Sequence, residues 1–222
     1  KDITLRAKEI LSKVNYIACE DTRHTGNLLK ILQISNTTNT TNISIKRPTL
    51  LSYYEQNELQ RIPEILELLK NGSDVALVSD AGTPTISDPG FKLVRECINQ
   101  GIKVESIPGP SSVIAALTVS GLPTDKFLFV GYPPKKPGHR KELFHRLTLL
   151  QSSNRVTIIM FEAPHRLVKT LQEMLDAFGD IDVVICRELT KIHEEVRREK
   201  ISDSLAHFQK VNPKGEFVIL WH

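Results

Sequence analysis

The chain has 222 residues, 40% hydrophobic and 25% charged, with a net charge of only +3. That length bounds it to one large domain or two small ones, and the composition is that of an ordinary globular protein. So small a bulk charge excludes a wholesale polyanion-binding composition, and local basic clusters must carry any argument for a nucleic-acid partner.

The three cysteines, Cys19, Cys97 and Cys186, stand far apart in apolar runs with no CxxC pair. They predict reduced, buried thiols in a cytoplasmic protein, with neither a disulfide framework nor a metal site. No apolar run approaches a membrane span and no signal peptide is recognisable. The sequence starts at Lys1 without a methionine, as a fragment or a trimmed chain does.

In chain order, residues 3–13 have helical spacing at Ile3, Ala7, Ile10 and Leu11, with Asp2 or Thr4 as N-cap. Residues 14–19 form a short strand and 22–32 a helix. Residues 35–47 read as a polar surface loop whose Asn36, Asn39 and Asn42 open glycosylation-type triplets. Leu59, Ile62, Leu66 and Leu69 form one apolar helical stripe that stops at Asn71-Gly72. Pro63 must then lie near its first turn or kink it. A strand follows at 75–78. Asp88 is the expected N-cap and Pro89 the first position of the next helix. Residues 104–107 predict another strand, residues 111–120 a helix, and Gly121-Leu122-Pro123-Thr124 a linker.

The alternation then restarts. Strands are expected at 127–130, 156–161, 183–186 and 217–220, and helices at 142–150 and 165–178, the latter with Leu167, Leu171, Leu175 and Phe178 on one face. Residues 132–138 form a Pro/Lys loop, and 194–201 an exposed hairpin. The sum is two α/β domains, 1–121 and 122–222.

Two loops stand out because each ends an apolar run in small turn-forming residues: Asp80-Ala81-Gly82-Thr83-Pro84 and Pro108-Gly109-Pro110-Ser111-Ser112. In open α/β sheets ligands bind beyond the carboxyl ends of strands, where backbone can approach closely. Two such loops suggest one small-molecule pocket. Glu20-Asp21-Thr22-Arg23-His24 and Phe161-Glu162-Ala163-Pro164-His165-Arg166 each place carboxylate, histidine and arginine at a strand-to-helix junction. Helix capping accounts for one or two of these residues, and a solvated charge accounts equally well for Glu162. Lys135, Lys136, His139, Arg140 and Lys141 form the densest basic stretch: a solvated loop when taken alone, and a phosphate contact when set beside a cleft. Arg187-Glu188 and Arg197-Arg198 read as surface ion pairs. No GxGxxG, Walker A, HExxH or GxSxG motif occurs, which removes the usual support for dinucleotide, P-loop, zinc-protease and acyl-hydrolase chemistry.

These segments, together with Asp88-Pro89-Gly90 and Arg187-Glu188-Leu189-Thr190-Lys191, stand in an order that resembles the ribosomal RNA small subunit methyltransferase I family of the tetrapyrrole methylase superfamily. The resemblance covers nearly the whole chain. It implies two α/β domains with a cofactor cleft between them, S-adenosylmethionine as methyl donor, and a cytidine ribose 2′-hydroxyl of small-subunit (16S) ribosomal RNA, free or in an assembled subunit, as acceptor. It also implies a homodimer, with no membrane partner. Family members begin with a strand and a Pro-Ile-Gly-Asn loop ahead of the segment matching Asp2-Ile3-Thr4, and that first strand is missing here.

The resemblance makes Asp80, Ala81, Gly82, Thr83, Pro84, Ser111, Ser112, Phe161, Glu162, Gly215 and Glu216 cofactor-binding. Glu20, Asp21 and Glu162 are the candidate bases. Arg23, His24, Lys135, Lys136, Arg140, His165 and Arg166 are the candidate RNA contacts, and Arg23, His24, His165 and Arg166 can also assist proton removal. The competing readings are a methylase of a small tetrapyrrole or other non-RNA acceptor, a ribosome-binding protein without catalysis, and a nucleotide-binding regulatory domain.

Overall fold

A computed structural model describes residues 2–34 and 47–222. The expected polar loop at 35–47, with its asparagine triplets, falls outside the described residues save Arg47. The chain divides into two compact units, Lys1–Pro110 and Ser111–His222. The boundary expected near residue 122 lies one helix beyond this division.

The first unit is built on a three-stranded parallel sheet in the order β2-β1-β3, with β1 Tyr16–Cys19, β2 Thr49–Ser52 and β3 Val75–Val78. Helices α1 Leu5–Lys13 and α2 Thr22–Ile31 cover one face, where Leu11, Ile17, Cys19 and Leu29 are buried. Helices α3 Glu58–Lys70 and α4 Phe91–Asn99 cover the other, around Ala18, Tyr53, Ile65, Leu66 and Leu93. Central β1 is buried on both faces, as a run of apolar residues in a parallel strand requires. Between α3 and α4 the buried Glu58 accepts from Tyr53 Oη at 3.2 Å and from Lys92 Nζ at 2.5 Å, so its charge is compensated.

Of the two expected N-caps of α1 it is Thr4 that serves, its hydroxyl accepting from the Ala7 N–H at 3.1 Å. Other expectations are corrected. The buried stripe of α3 is Ile62, Ile65 and Leu66, while Leu59 is 68% exposed and Pro63 sits in the helix interior. Residues 104–107 join no ladder: Val104 is half exposed, and flanking Lys103 and Glu105 pair with each other at the surface. Helix α4 is capped by Gly90 rather than by Asp88. Strand β2 was not anticipated, because four residues after a proline carry too short a pattern.

The second unit holds a five-stranded mixed sheet in the order β4-β5-β8-β6-β7: β4 Phe127–Phe129, β5 Thr157–Glu162, β6 Asp182–Arg187, β7 Glu195–Lys200 and β8 Phe217–Trp221. Only β4 and β5 run parallel. Period-two alternation splits each central strand between two cores. Ile158, Met160, Val183, Ile185, Phe217, Ile219 and Trp221 face α6 Pro137–Asn154, α7 Pro164–Phe178 and α8 Ile201–Lys210. Ile159, Val184, Cys186, Val218 and Leu220 face α5 Ser112–Ser120. That packing places α5 with the second unit.

Helix α6 begins five residues before the expected start and takes in part of the Pro/Lys loop, with Pro137 in its first turn. The expected hairpin at 194–201 is instead edge strand β7 paired with β6, followed by the unanticipated α8. The α8 stripe Ile201, Ser204, Leu205, Phe208 has helical spacing that is legible in the sequence. The strand β7 carries Glu195, Arg197, Arg198, Glu199 and Lys200, charges that guard an open edge against pairing. All three cysteines are buried free thiols. Among the described residues no helix is long and apolar enough to cross a membrane.

Candidate functional site

Strands β1 and β3 are in register, with Cys19 opposite Val78, so the residues just beyond their carboxyl ends meet. Asp80 bridges them: its N–H donates to Glu20 Oε2 at 3.2 Å, and its Oδ1 accepts from the Asp21 N–H at 3.3 Å. Its Oδ2 lies 3.1 Å from His24 Nδ1. Asp21 is the N-cap of α2, accepting from the Arg23 N–H at 2.8 Å. Its carboxylate also takes both the Nε and Nη2 of the Arg23 guanidinium, the latter at 2.7 Å. The Arg23 side chain is 85% exposed, yet its hydrogen bonds and charge hold the Asp21 carboxyl far below the ordinary aspartate range. Five polar residues separated by up to sixty positions thus form one cluster.

The second loop comes to the same unit. Thr83 Oγ1 donates to the Pro110 carbonyl at 2.7 Å and Thr4 Oγ1 to the Pro108 carbonyl at 3.0 Å. In the 80–84 loop, Gly82 adopts φ +67° with open space where a Cβ would stand, so its backbone is accessible to a ligand. Ser111 and Ser112 cap and open α5 in the second unit.

The second unit sorts its candidates differently. Glu162 is buried, accepting from Thr170 Oγ1 at 2.5 Å and the Ala163 N–H at 2.8 Å, with Arg166 Nε at 3.3 Å. It anchors the start of α7 and has no face toward solvent. Arg140, expected as an RNA contact, is 3% exposed. It grips Glu173 through two nitrogens and donates to the carbonyls of Pro134 and Lys135. Arg166 Nη2 donates to the Pro133 carbonyl at 2.6 Å. Buried Arg140 and half-buried Arg166, each tied to a glutamate, therefore hold the loop 132–136, while Lys135, Lys136, His139, Lys141 and His165 stay exposed around it.

Because Arg140 holds the Glu173 carboxyl below its ordinary range, that pair stabilises fully above pH ~4.5 and loses its contribution as pH falls through the lowered value. Melting followed from pH 6 to pH 3 should show the second unit destabilised by acid, and Glu173→Gln should flatten part of that dependence.

Phe161 makes edge contacts with Phe129 at 4.7 Å and Tyr132 at 5.5 Å. Gly215, at φ +90°, lets the 214–216 turn lie against Glu188, which accepts from the Glu216 N–H at 3.0 Å. Lys191 bridges Glu188 and Glu216 at 2.9 Å each. The 187–191 segment carries part of the resemblance, but its sequence gives no sign that Glu188 and Lys191 partner this turn; in the structure the positive φ of Glu188 and Thr190 marks the loop. Arg187 pairs with Glu195, and Arg197 with Glu195 and Glu199.

A family model of tetrapyrrole (corrin/porphyrin) methylases matches residues 1–204. A curated relative from Thermotoga maritima, named ribosomal RNA small subunit methyltransferase I, is 46% identical over 99% of this chain and 91% of its own length. A relative of the same name from Vibrio cholerae is 42% identical over the full chain and 72% of its own length. Among solved structures, the methyltransferase CobJ aligns with TM-score 0.67 at 14% identity, covering 99% of this chain and 87% of its own. The cobalamin biosynthetic enzyme cobalt precorrin-4 methyltransferase aligns with TM-score 0.63 at 16% identity, covering 98% and 87%. These two show the fold.

Proposed function

This chain belongs to the tetrapyrrole methylase family, and from that premise we propose that it methylates the ribose 2′-hydroxyl of a cytidine in small-subunit ribosomal RNA. S-adenosylmethionine is the donor, supplying an electrophilic methyl group on a sulfonium. The observation that carries the reading is the cluster of Glu20, Asp21, Arg23, His24 and Asp80 beyond the carboxyl ends of β1 and β3. Its three carboxylates suit the ammonium, the sulfonium and the ribose hydroxyls of that cofactor, and the open backbone at Gly82 suits close approach.

In the first unit Asp80, Ala81, Gly82, Thr83 and Pro84 hold the cofactor. In the second unit, Glu162 fixes the end of the strand that carries Phe161. Transfer from a sulfonium is an in-line displacement, so alignment of donor and acceptor supplies much of the rate. Arg23, with its exposed guanidinium steadied by Asp21, orients an RNA phosphate. Lys135 and Lys136 add backbone contacts on a loop that Arg140 and Arg166 keep in place. The reading carries with it a homodimer acting in the cytoplasm.

Labelled methyl transfer to small ribosomal subunits that lack the modification tests this directly. Label recovered in a cytidine ribose is expected. Retained cofactor with no RNA label would move the acceptor to a small tetrapyrrole or another non-RNA molecule. Lys135→Glu with Lys136→Glu should weaken RNA binding across sequences and reduce the salt slope by about 2, leaving cofactor affinity unchanged. An unchanged slope would remove this loop from the RNA path.

A further inference from the structure

Resting on that reading, we propose that His24 accepts the proton of the acceptor hydroxyl, with Asp80 as its positioning residue. His24 is the third residue of α2, and its Nδ1 lies 3.1 Å from Asp80 Oδ2. A carboxylate only accepts, so this contact sets the proton on Nδ1 and leaves the Nε2 lone pair outward. The imidazole is two-thirds exposed and reachable by a macromolecular substrate, whereas Asp80 is about one-third exposed and fixed at both ends of its residue by Glu20 and the Asp21 N–H. A second-sphere carboxylate of this kind orients a histidine base and stabilises the imidazolium it becomes.

The three carboxylates first considered for the role are engaged otherwise. Asp21 caps α2 and is held ionised by Arg23, which makes it a weak proton acceptor. Glu20 holds the Asp80 N–H, and Glu162 is buried under α7. The charges facing His24 are Asp80 and Asp21, with Glu20 behind Asp80 and Arg23 paired to Asp21.

In the step, the ribose O–H bond breaks toward Nε2 and the oxygen's electron pair forms the new O–CH3 bond. The S–CH3 pair returns to sulfur, leaving neutral S-adenosylhomocysteine, and the imidazolium later releases its proton to solvent.

Single-turnover methylation of small subunits from pH 5 to pH 9 tests the assignment. The unsubstituted chain should gain rate as pH rises from 5, because only an unprotonated base can take the hydroxyl proton. His24→Gln should lose about 10²–10⁴-fold in rate together with that limb, keeping its melting temperature, cofactor affinity and RNA retention. Imidazole added to His24→Ala should restore part of the rate. A His24→Gln variant that keeps the limb, or loses only RNA affinity, makes His24 a phosphate contact and overturns the assignment alone. Absence of RNA label from the unsubstituted chain overturns the functional reading and this assignment with it.

Discussion

Replacing Glu162 with alanine should destabilise the second unit by about 3–5 kcal/mol, the cost of removing one partner from a buried ion pair. The change strands three groups at once. The Thr170 hydroxyl is fully buried, the Ala163 N–H opens α7, and the Arg166 side chain is only 15% exposed. Each loses an anionic acceptor in a place water reaches poorly. A shift of roughly 2–4 °C per kcal/mol then predicts a drop of about 6–20 °C in the melting midpoint. Thr170→Val removes one donor while keeping shape, and should cost only about 1–2 kcal/mol. Differential scanning calorimetry of both variants separates structure from chemistry: a Glu162→Ala protein that melts like its parent yet transfers no methyl would return Glu162 to the list of bases.

Gly90→Ala should cost the first unit about 2–6 kcal/mol and weaken cofactor binding with it. Gly90 caps α4 at φ +130°, a conformation that L-residues occupy at ~1–3 kcal/mol. An added Cβ would also stand 2.4 Å from Leu77 Cδ2 and 3.1 Å from Thr85 Cγ2. Relieving that overlap means turning the Leu77 and Thr85 side chains or shifting the loop, ~1–3 kcal/mol more. The same loop holds Thr85 and Ser87 at positive φ and begins at the Asp80 cluster, so a shift at its end reaches the site. Gly82→Ala is the control for stability alone, since Gly82 itself lies in the cofactor loop: φ is positive, but the space is open, and roughly 1 kcal/mol is expected. Chemical denaturation with cofactor titration reads both. Gly90→Ala within 0.5 kcal/mol of the parent would mean the loop absorbs the methyl group freely.

The alternation of apolar strands with amphipathic helices, and the polar junctions at 20–24, 80–84 and 161–166, were legible because they depend on local spacing and turn chemistry alone. The junctions at 20–24, 80–84 and 161–166 do follow strands β1, β3 and β5, whereas the 108–112 loop follows no strand. Short or context-dependent elements were not legible: β2 is four residues long, 104–107 begins and ends on apolar Val104 and Ile107 without joining a ladder, and α4 starts where a glycine's left-handed backbone allows. Family membership was also readable, since several motifs in fixed order are a property of the string.

What only the tertiary structure decided is the role of each charge. Glu20, Asp21 and Glu162 look alike in sequence, as do Arg23, Arg140 and Arg166. In the fold, Glu162 and Arg140 lie buried beneath partners 8 and 33 positions away, while Asp80 crosses 56 positions to reach His24. The chemistry of an ionisable side chain depends on desolvation and on the charges within a few ångströms, and both are set by residues brought near through packing rather than by neighbours in the chain.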